Sequence, residues 1–237
     1  MTLYSRIGTK VSDMNNSSLN KKQKMEILSK AGLYLVSSAE LSNYTSLHII
    51  EEFLKAGGKL FQLREKTLSK KELYELALSA RKLADIYGAV FIVNDHLDIA
   101  MASGADGVHL GQEDLPLKEA RRILGSEAII GVSTHNLNEV VEAKENGTDY
   151  VNIGPVFPTQ TKVHLQSIKA EEISKVLATI VDMPFTFMGG IKESNIQKLS
   201  DYKPSALAMI TEITKAQDIN KKVRAVLAKI KDLPISY

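Results

Sequence analysis

Two short runs carry carboxylates where apolar stretches end. Asn94-Asp95 follows Val90–Val93, and Gly111-Gln112-Glu113-Asp114 follows Gly107–Leu110. If both apolar runs are neighbouring strands, Asp95 and Asp114 can share one hard cation. Mg²⁺ typically takes one or two carboxylates and completes its shell with phosphate oxygens. Taken singly, each aspartate reads as a helix N-cap instead. Upstream, Gln62, Arg64 and Lys66 alternate with Leu63 and Glu65, so an extended backbone puts all three on one face. Two cations and an amide turned into a cleft call for an anionic ligand, with an internal ion pair of Arg64 as the competing reading. Together these residues suit a magnesium-bound diphosphate.

A second set follows later runs. Gly154-Pro155-Val156-Phe157-Pro158-Thr159-Gln160-Thr161-Lys162 comes after Tyr150–Ile153, and brings the Thr159 and Thr161 hydroxyls close to the Lys162 ammonium. Gly189-Gly190-Ile191 and Met209-Ile210-Thr211 end two more runs, where glycine lets backbone N–H groups approach an anion. Ser133-Thr134-His135 offers a hydroxyl beside an imidazole, but no acid and no Gly-x-Ser-x-Gly elbow accompany it, so Ser133 reads as a hydrogen-bonding group for a heterocycle. His109 lies inside an apolar run and reads as a packed histidine; His48, His96 and His164 lack metal-ligand spacing.

The elements that position these groups repeat in alternation. Strands are expected at Leu33–Val36, Lys59–Arg64, Val90–Asn94, Gly107–Leu110, Ile129–Ser133, Tyr150–Ile153, Pro184–Met188 and Ser205–Ile210. Helical periodicity occupies about 45–56, 69–87, 97–103, 116–124, 136–146, 169–180, 192–199 and 217–231. Strands apolar enough to be covered on both faces, each followed by a helix, indicate a parallel sheet. Gly104-Ala105-Asp106-Gly107-Val108-His109-Leu110-Gly111 resembles Gly147-Thr148-Asp149-Tyr150-Val151-Asn152-Ile153-Gly154, with a looser copy starting at Gly57. These copies lie 47 and 43 residues apart, as whole βα units would. The expected fold is a (β/α)8 TIM barrel over 32–237, because no Gly-x-Gly-x-x-Gly turn supports an open doubly wound sheet. Residues 1–31 form an N-terminal extension; Lys21–Lys30 can make a capping helix with Met25 and Leu28 on its apolar side.

Composition narrows the function. The 237 residues suit one large domain, and a net charge of +2 gives no footprint for nucleic acid. Absence of cysteine excludes thiolate metal sites and disulfides. With no long apolar run and no signal core, a cytoplasmic protein away from membranes is expected. Whether it works as a homodimer is left open.

The motifs Gln62–Lys66, Asn94-Asp95, Gly107–Asp114, Gly131–Ser133, Gly154–Lys162 and Gly189–Ile191 run in one order over about 200 residues. In that order they resemble the thiamine-phosphate synthase family, also called thiamine-phosphate pyrophosphorylase. The resemblance implies a (β/α)8 barrel that joins hydroxymethylpyrimidine diphosphate to thiazole phosphate and releases pyrophosphate, with Mg²⁺. It implies that Asp95 and Asp114 hold the metal and that Arg64, Lys66, Asn94 and Lys162 bind the diphosphate. Gln62 and Ser133 would meet the aminopyrimidine, and Thr159, Thr161, Gly190, Ile210 and Thr211 the thiazole phosphate. Arg64, Lys66, Ser133 and Lys162 are the expected catalytic groups. The chain departs from the pattern at Phe187-Met188, at Thr211-Glu212 and at Val163–Gln166. Two other readings share the barrel: a thiazole tautomerase-like isomerase, which lacks the diphosphate set, and a non-catalytic phosphate-binding barrel.

Overall fold

The computed structural model describes residues 19–159 and 166–232. Its parallel strands are β1 (Gly32–Ser37), β2 (Leu60–Leu63), β3 (Val90–Asn94), β4 (Gly107–Leu110), β5 (Ile129–Thr134), β6 (Tyr150–Ile153), β7 (Phe185–Phe187) and β8 (Ala206–Met209). Each pairs with the next, and β8 returns to β1 with Gly32 opposite Ala206, so the barrel is closed. Helices α2 (Ser46–Lys55), α3 (Lys70–Tyr87), α4 (Leu97–Ser103), α5 (Leu117–Leu124), α6 (Leu137–Glu145) and α7 (Ala170–Thr179) cover strands in turn. After β8 come a single turn, α8 (Thr211–Thr214), and the last helix, α9 (Ile219–Lys231).

Alternation along each strand divides the core in two. Outward residues such as Leu33, Phe61, Phe91, Ile130, Val151 and Leu207 pack with the helices, while Tyr34, Leu60, Ile92, Ile129, Tyr150 and Ala208 fill the barrel. The inner set is apolar at the strand starts and becomes polar toward their ends, at Gln62, His109, Ser133 and Asn152. A ligand can therefore reach below the loops into the barrel.

Helix α1 (Lys21–Ser29) belongs to the segment ahead of the barrel and packs on the inner core. Asn20 and Gln23 form a capping box at its start. Leu28 is fully buried among Tyr34, Leu60, Val90, Ile129 and Ala206, with Met25 beside it. Ion pairs set its register, and they explain the internal repeat. Asp106 accepts the Phe91 N–H (2.7 Å), Arg81 (2.9 Å) and Lys24 (2.9 Å). At the equivalent repeat position Asp149 accepts the Ile130 N–H (2.8 Å), Arg121 (2.6 Å) and Lys21 (2.6 Å). Each aspartate thus ties a strand, a barrel helix and α1 together.

One helical expectation changes. In place of a helix over 192–199, a 3-10 helix spans Ile196–Tyr202. The Asn195 side chain accepts the Lys192 N–H (2.8 Å) and donates to the Gly190 carbonyl (2.9 Å), a local alternative to helical bonding. No described helix is long and apolar enough to cross a membrane. If α1 closes the inner core, Leu28→Ala should cost about 2–5 kcal/mol in urea unfolding, the range for emptying a packed leucine site; a loss near zero would mean that the helix only rests on the surface.

Candidate active site

A cavity of about 150 Å³ opens at the carboxyl ends of the strands, with Gln62, Asn94, Ser133, Asn152, Gly190 and Thr211 among its walls. Its floor is the polar upper part of the barrel interior. Gln62 and Ser133 are both almost fully buried. Gln112 Nε2 donates to the Ser133 carbonyl (2.6 Å), holding the end of β5. The hydroxyl of Ser133 meets His109 (2.9 Å), not His135, which pairs with Glu139 (2.8 Å). His109 in turn contacts Tyr150 through its other nitrogen (2.9 Å), so both ring nitrogens are held by hydroxyl groups, not by a carboxylate among the described residues. This agrees with the packed reading of His109.

Arg64 combines both readings made of it. Its Nη1 donates to Glu40 (3.0 Å), yet the residue lines the cavity and keeps further donors on its guanidinium. Glu65 points the other way and accepts the Ala39 N–H (3.1 Å) and the Ser46 hydroxyl, anchoring the loop that carries Glu40. Strand β2 ends at Leu63, so the alternation that put Lys66 on the same face does not extend to it. Lys66 is exposed, and its charge acts on Asp95.

Neither aspartate caps a helix. The N-cap of α4 is His96 and that of α5 is Pro116, neither with a side-chain cap bond. Asp95 instead sits at φ +62°, left-handed backbone that a non-glycine residue adopts at a cost. Its N–H donates to the His109 carbonyl (2.9 Å), which ties the end of β3 to β4. Asp114 accepts the Gly111 N–H (2.6 Å), and its carboxyl lies near enough to Asp95 to act on that residue's titration. Burial, then the Asp114 hydrogen bond and charge, raises Asp95 to about 6, against the lowering effect of Lys66 and Asn94. Two neighbouring carboxylates at a strained residue offer an oxygen donor pair that suits a divalent cation. Among the described residues no group of three or more His, Cys, Asp or Glu forms a metal cage, which leaves the remaining positions of such an ion to a ligand.

The opposite wall is backbone. Gly189 and Gly190 have φ +91° and +62°. A Cβ on Gly190 would lie 2.4 Å from the Pro158 carbonyl oxygen, and one on Gly189 2.3 Å from Pro155 Cβ. Glycine is required here by both conformation and space. The loop after β6 is pinned to this pair, with Val156 N–H donating to Met188 O (2.9 Å) and Phe157 N–H to Gly189 O (3.1 Å). Thr159, Ile210 and Thr211 line the same cavity. Thr161 and Lys162 lie outside the described residues. Glu212, the departure that places a carboxylate beside Thr211, accepts Lys222 Nζ (3.3 Å) and the Glu193 N–H (3.2 Å). Lys222 is shared with Glu193 (2.9 Å), so it offsets only part of the Glu212 charge.

Sequence reasoning missed several groups. Asn152 lines the cavity and accepts the Thr186 hydroxyl (2.8 Å), and Met188 and Lys192 complete the rim. The inward positions of β6 and β7, read at period two from Tyr150 and Thr186, carried that signal.

The raised Asp95 sets a pH signature. The native state holds this proton more tightly than the unfolded chain, so the ion-free protein should lose stability as pH rises from 3.8 to about 6. Urea unfolding in chelator should show that fall in the wild type and a flatter profile in Asp95→Asn; identical profiles would contradict the assignment.

Known proteins place this geometry. The family model described as thiamine monophosphate synthase matches residues 33–213. A thiamine-phosphate synthase of Shouchella clausii is 43% identical over 186 residues, covering 78% of this chain and 89% of the relative. One from Caldicellulosiruptor saccharolyticus is 40% identical over 216 residues, covering 91% of this chain and 98% of the relative. Among solved structures, the thiamine phosphate pyrophosphorylase of Pyrococcus furiosus superposes with a TM-score of 0.80 at 30% identity, over 87% of this chain and 98% of that one. With matches of that extent spanning the strands, the glycine pair and both aspartates, the chain belongs to the thiamine monophosphate synthase family.

Proposed function

We propose that this protein condenses hydroxymethylpyrimidine diphosphate with thiazole phosphate, forming thiamine phosphate and releasing pyrophosphate. The observation that carries the reading is the proximity of Asp95 and Asp114 just beyond the ends of β3 and β4, with Arg64 and Asn94 in the cavity wall and Lys66 acting on Asp95. A tautomerase has no use for that set.

In this reading Asp95 and Asp114 hold Mg²⁺, which when bound neutralises diphosphate oxygens and eases the loss of pyrophosphate. Arg64, Lys66 and Asn94, with Lys162 from the loop, bind the diphosphate. Gln62 and Ser133 hold the aminopyrimidine ring in the barrel floor. Gly190, Ile210 and Thr211, with Thr159 and Thr161, receive the thiazole phosphate, Gly190 through close backbone approach. The C–O bond to pyrophosphate breaks and its electron pair leaves with the oxygen. The electron-rich aminopyrimidine stabilises the resulting carbocation, and the thiazole nitrogen supplies the pair for the new C–N bond. No protein nucleophile is needed, in keeping with a Ser133 hydroxyl that meets His109, whose other nitrogen faces a tyrosine hydroxyl. Catalysis comes from alignment and from stabilising charge on the leaving group.

The test is a product assay for thiamine phosphate, paired with calorimetry on each substrate. Wild-type protein should form product only with both substrates and Mg²⁺. Asp114→Asn should lower turnover by ~10²-fold or more, the scale for losing a principal charge-stabilising group. Binding of the pyrimidine diphosphate without product would favour a non-catalytic barrel, and failure to bind it would overturn the proposal.

A further inference from the structure

Beneath the cavity, five hydrogen-bonding groups cross the barrel in one chain. Gln62 Nε2 donates to Tyr34 Oη (2.8 Å), and Tyr34 Oη meets Tyr150 Oη (2.9 Å). Tyr150 Oη meets His109 Nδ1 (2.9 Å), and His109 Nε2 meets Ser133 Oγ (2.9 Å). Both tyrosines are fully buried, and the two ends, Gln62 and Ser133, line the cavity together with an edge of His109. A close approach makes the chain possible. A Cβ on Gly131 would lie 2.0 Å from Tyr150 Cζ, so only glycine there lets the phenol lie across the barrel.

With the Gln62 amide as donor, placing the remaining protons gives each bond a direction. Tyr34 has one proton, and one lone pair already receives the Gln62 amide. A buried hydroxyl whose proton meets nothing carries a desolvation cost, so Tyr34 donates to Tyr150. Tyr150 then donates to His109 Nδ1. The neutral imidazole keeps its proton on Nε2 and donates to Ser133 Oγ. Ser133 is left with its own proton for the cavity, and Gln62 is left with its carbonyl oxygen. The opposite direction requires all five groups to turn over together.

Resting on the pyrimidine site proposed above, we propose that Tyr34, Tyr150 and His109 are positioning residues that set the specificity of that site. They hold Gln62 as an acceptor and Ser133 as a donor. That pair complements an amino group beside a ring nitrogen, which offers a donor and an acceptor. An oxo-pyrimidine offers the reverse, an acceptor and an N–H donor, and meets like against like. The tyrosine–histidine relay thereby selects amino-substituted over oxo-substituted pyrimidine diphosphates, although none of its three members needs to change charge.

Two measurements test this. In ¹⁵N-labelled wild-type protein, the His109 resonances should report an unprotonated Nδ1 and a protonated Nε2; the opposite tautomer overturns the proposal. Calorimetry should compare the aminopyrimidine diphosphate, its oxo analogue and pyrophosphate alone on the wild type and on Tyr150→Phe. The wild type should prefer the amino compound by at least ~10²-fold, since sites built around buried polar groups reject mismatched partners strongly. Tyr150→Phe, which interrupts the relay but keeps the ring, should reduce that preference at least ~10-fold while pyrophosphate affinity holds. Undiminished preference in Tyr150→Phe overturns the relay. If the wild type binds neither pyrimidine, the substrate reading falls and so does the selectivity; pyrophosphate binding and the His109 tautomer then report separately on the diphosphate site and on the bond direction. A Tyr150→Phe protein that does not fold leaves the wild-type tautomer to decide.

Discussion

Polar atoms inside a closed barrel must satisfy one another, and that constraint shapes this molecule. The interior is apolar where Leu28, Leu60, Val90 and Ile129 meet and becomes polar toward the strand ends. Tyr34 and Tyr150 lie at the transition, with rings in the inner core and hydroxyls in the hydrogen-bonded chain. Their burial holds both hydroxyls neutral, since it penalises the charged phenolate. A floor whose groups already have partners can present the remaining donors and acceptors in fixed directions, the preorganisation that binding requires.

Above this floor the site has two different walls. On the β2–β4 side are charged side chains: an arginine shared with Glu40, an exposed lysine and two carboxylates that act on one another. On the β6–β8 side are glycines fitted closely against the loop backbone. In the proposed reading the first wall takes the cation and the diphosphate, and the second takes the smaller anion through N–H groups. Lys222, shared between Glu193 and Glu212, offsets part of the negative charge beside the second wall. Support for both walls comes from below, where Asp106 and Asp149 repeat one clamp and α1 bridges them.

Much of this was legible in the sequence. Short β-branched runs at βα spacing indicated the eight strands, because strands covered on both faces have little freedom in composition. Asp95 and Asp114 stood out only in conjunction, and their failure to cap helices removes the simpler alternative. What could not be read depended on partners distant in sequence. Tyr34 and Tyr150 looked like apolar filling because alternation assigns a face and not a neighbour, and they meet 116 residues apart. Glu212 looked intrusive until Lys222 was seen beside it. The turn at Asn195 defeated a helical pattern because one side chain outcompeted the backbone bonding that periodicity presumes.

The account turns on whether the paired aspartates serve one ion beneath a diphosphate. The most direct measurement is a crystal structure of the protein with magnesium and pyrophosphate. It should show Asp95 and Asp114 on a single metal ion, with Arg64 and Lys66 on the pyrophosphate oxygens. An ion bound elsewhere, or Asp95 hydrogen-bonded to Asp114 beside a bound pyrophosphate, would contradict it.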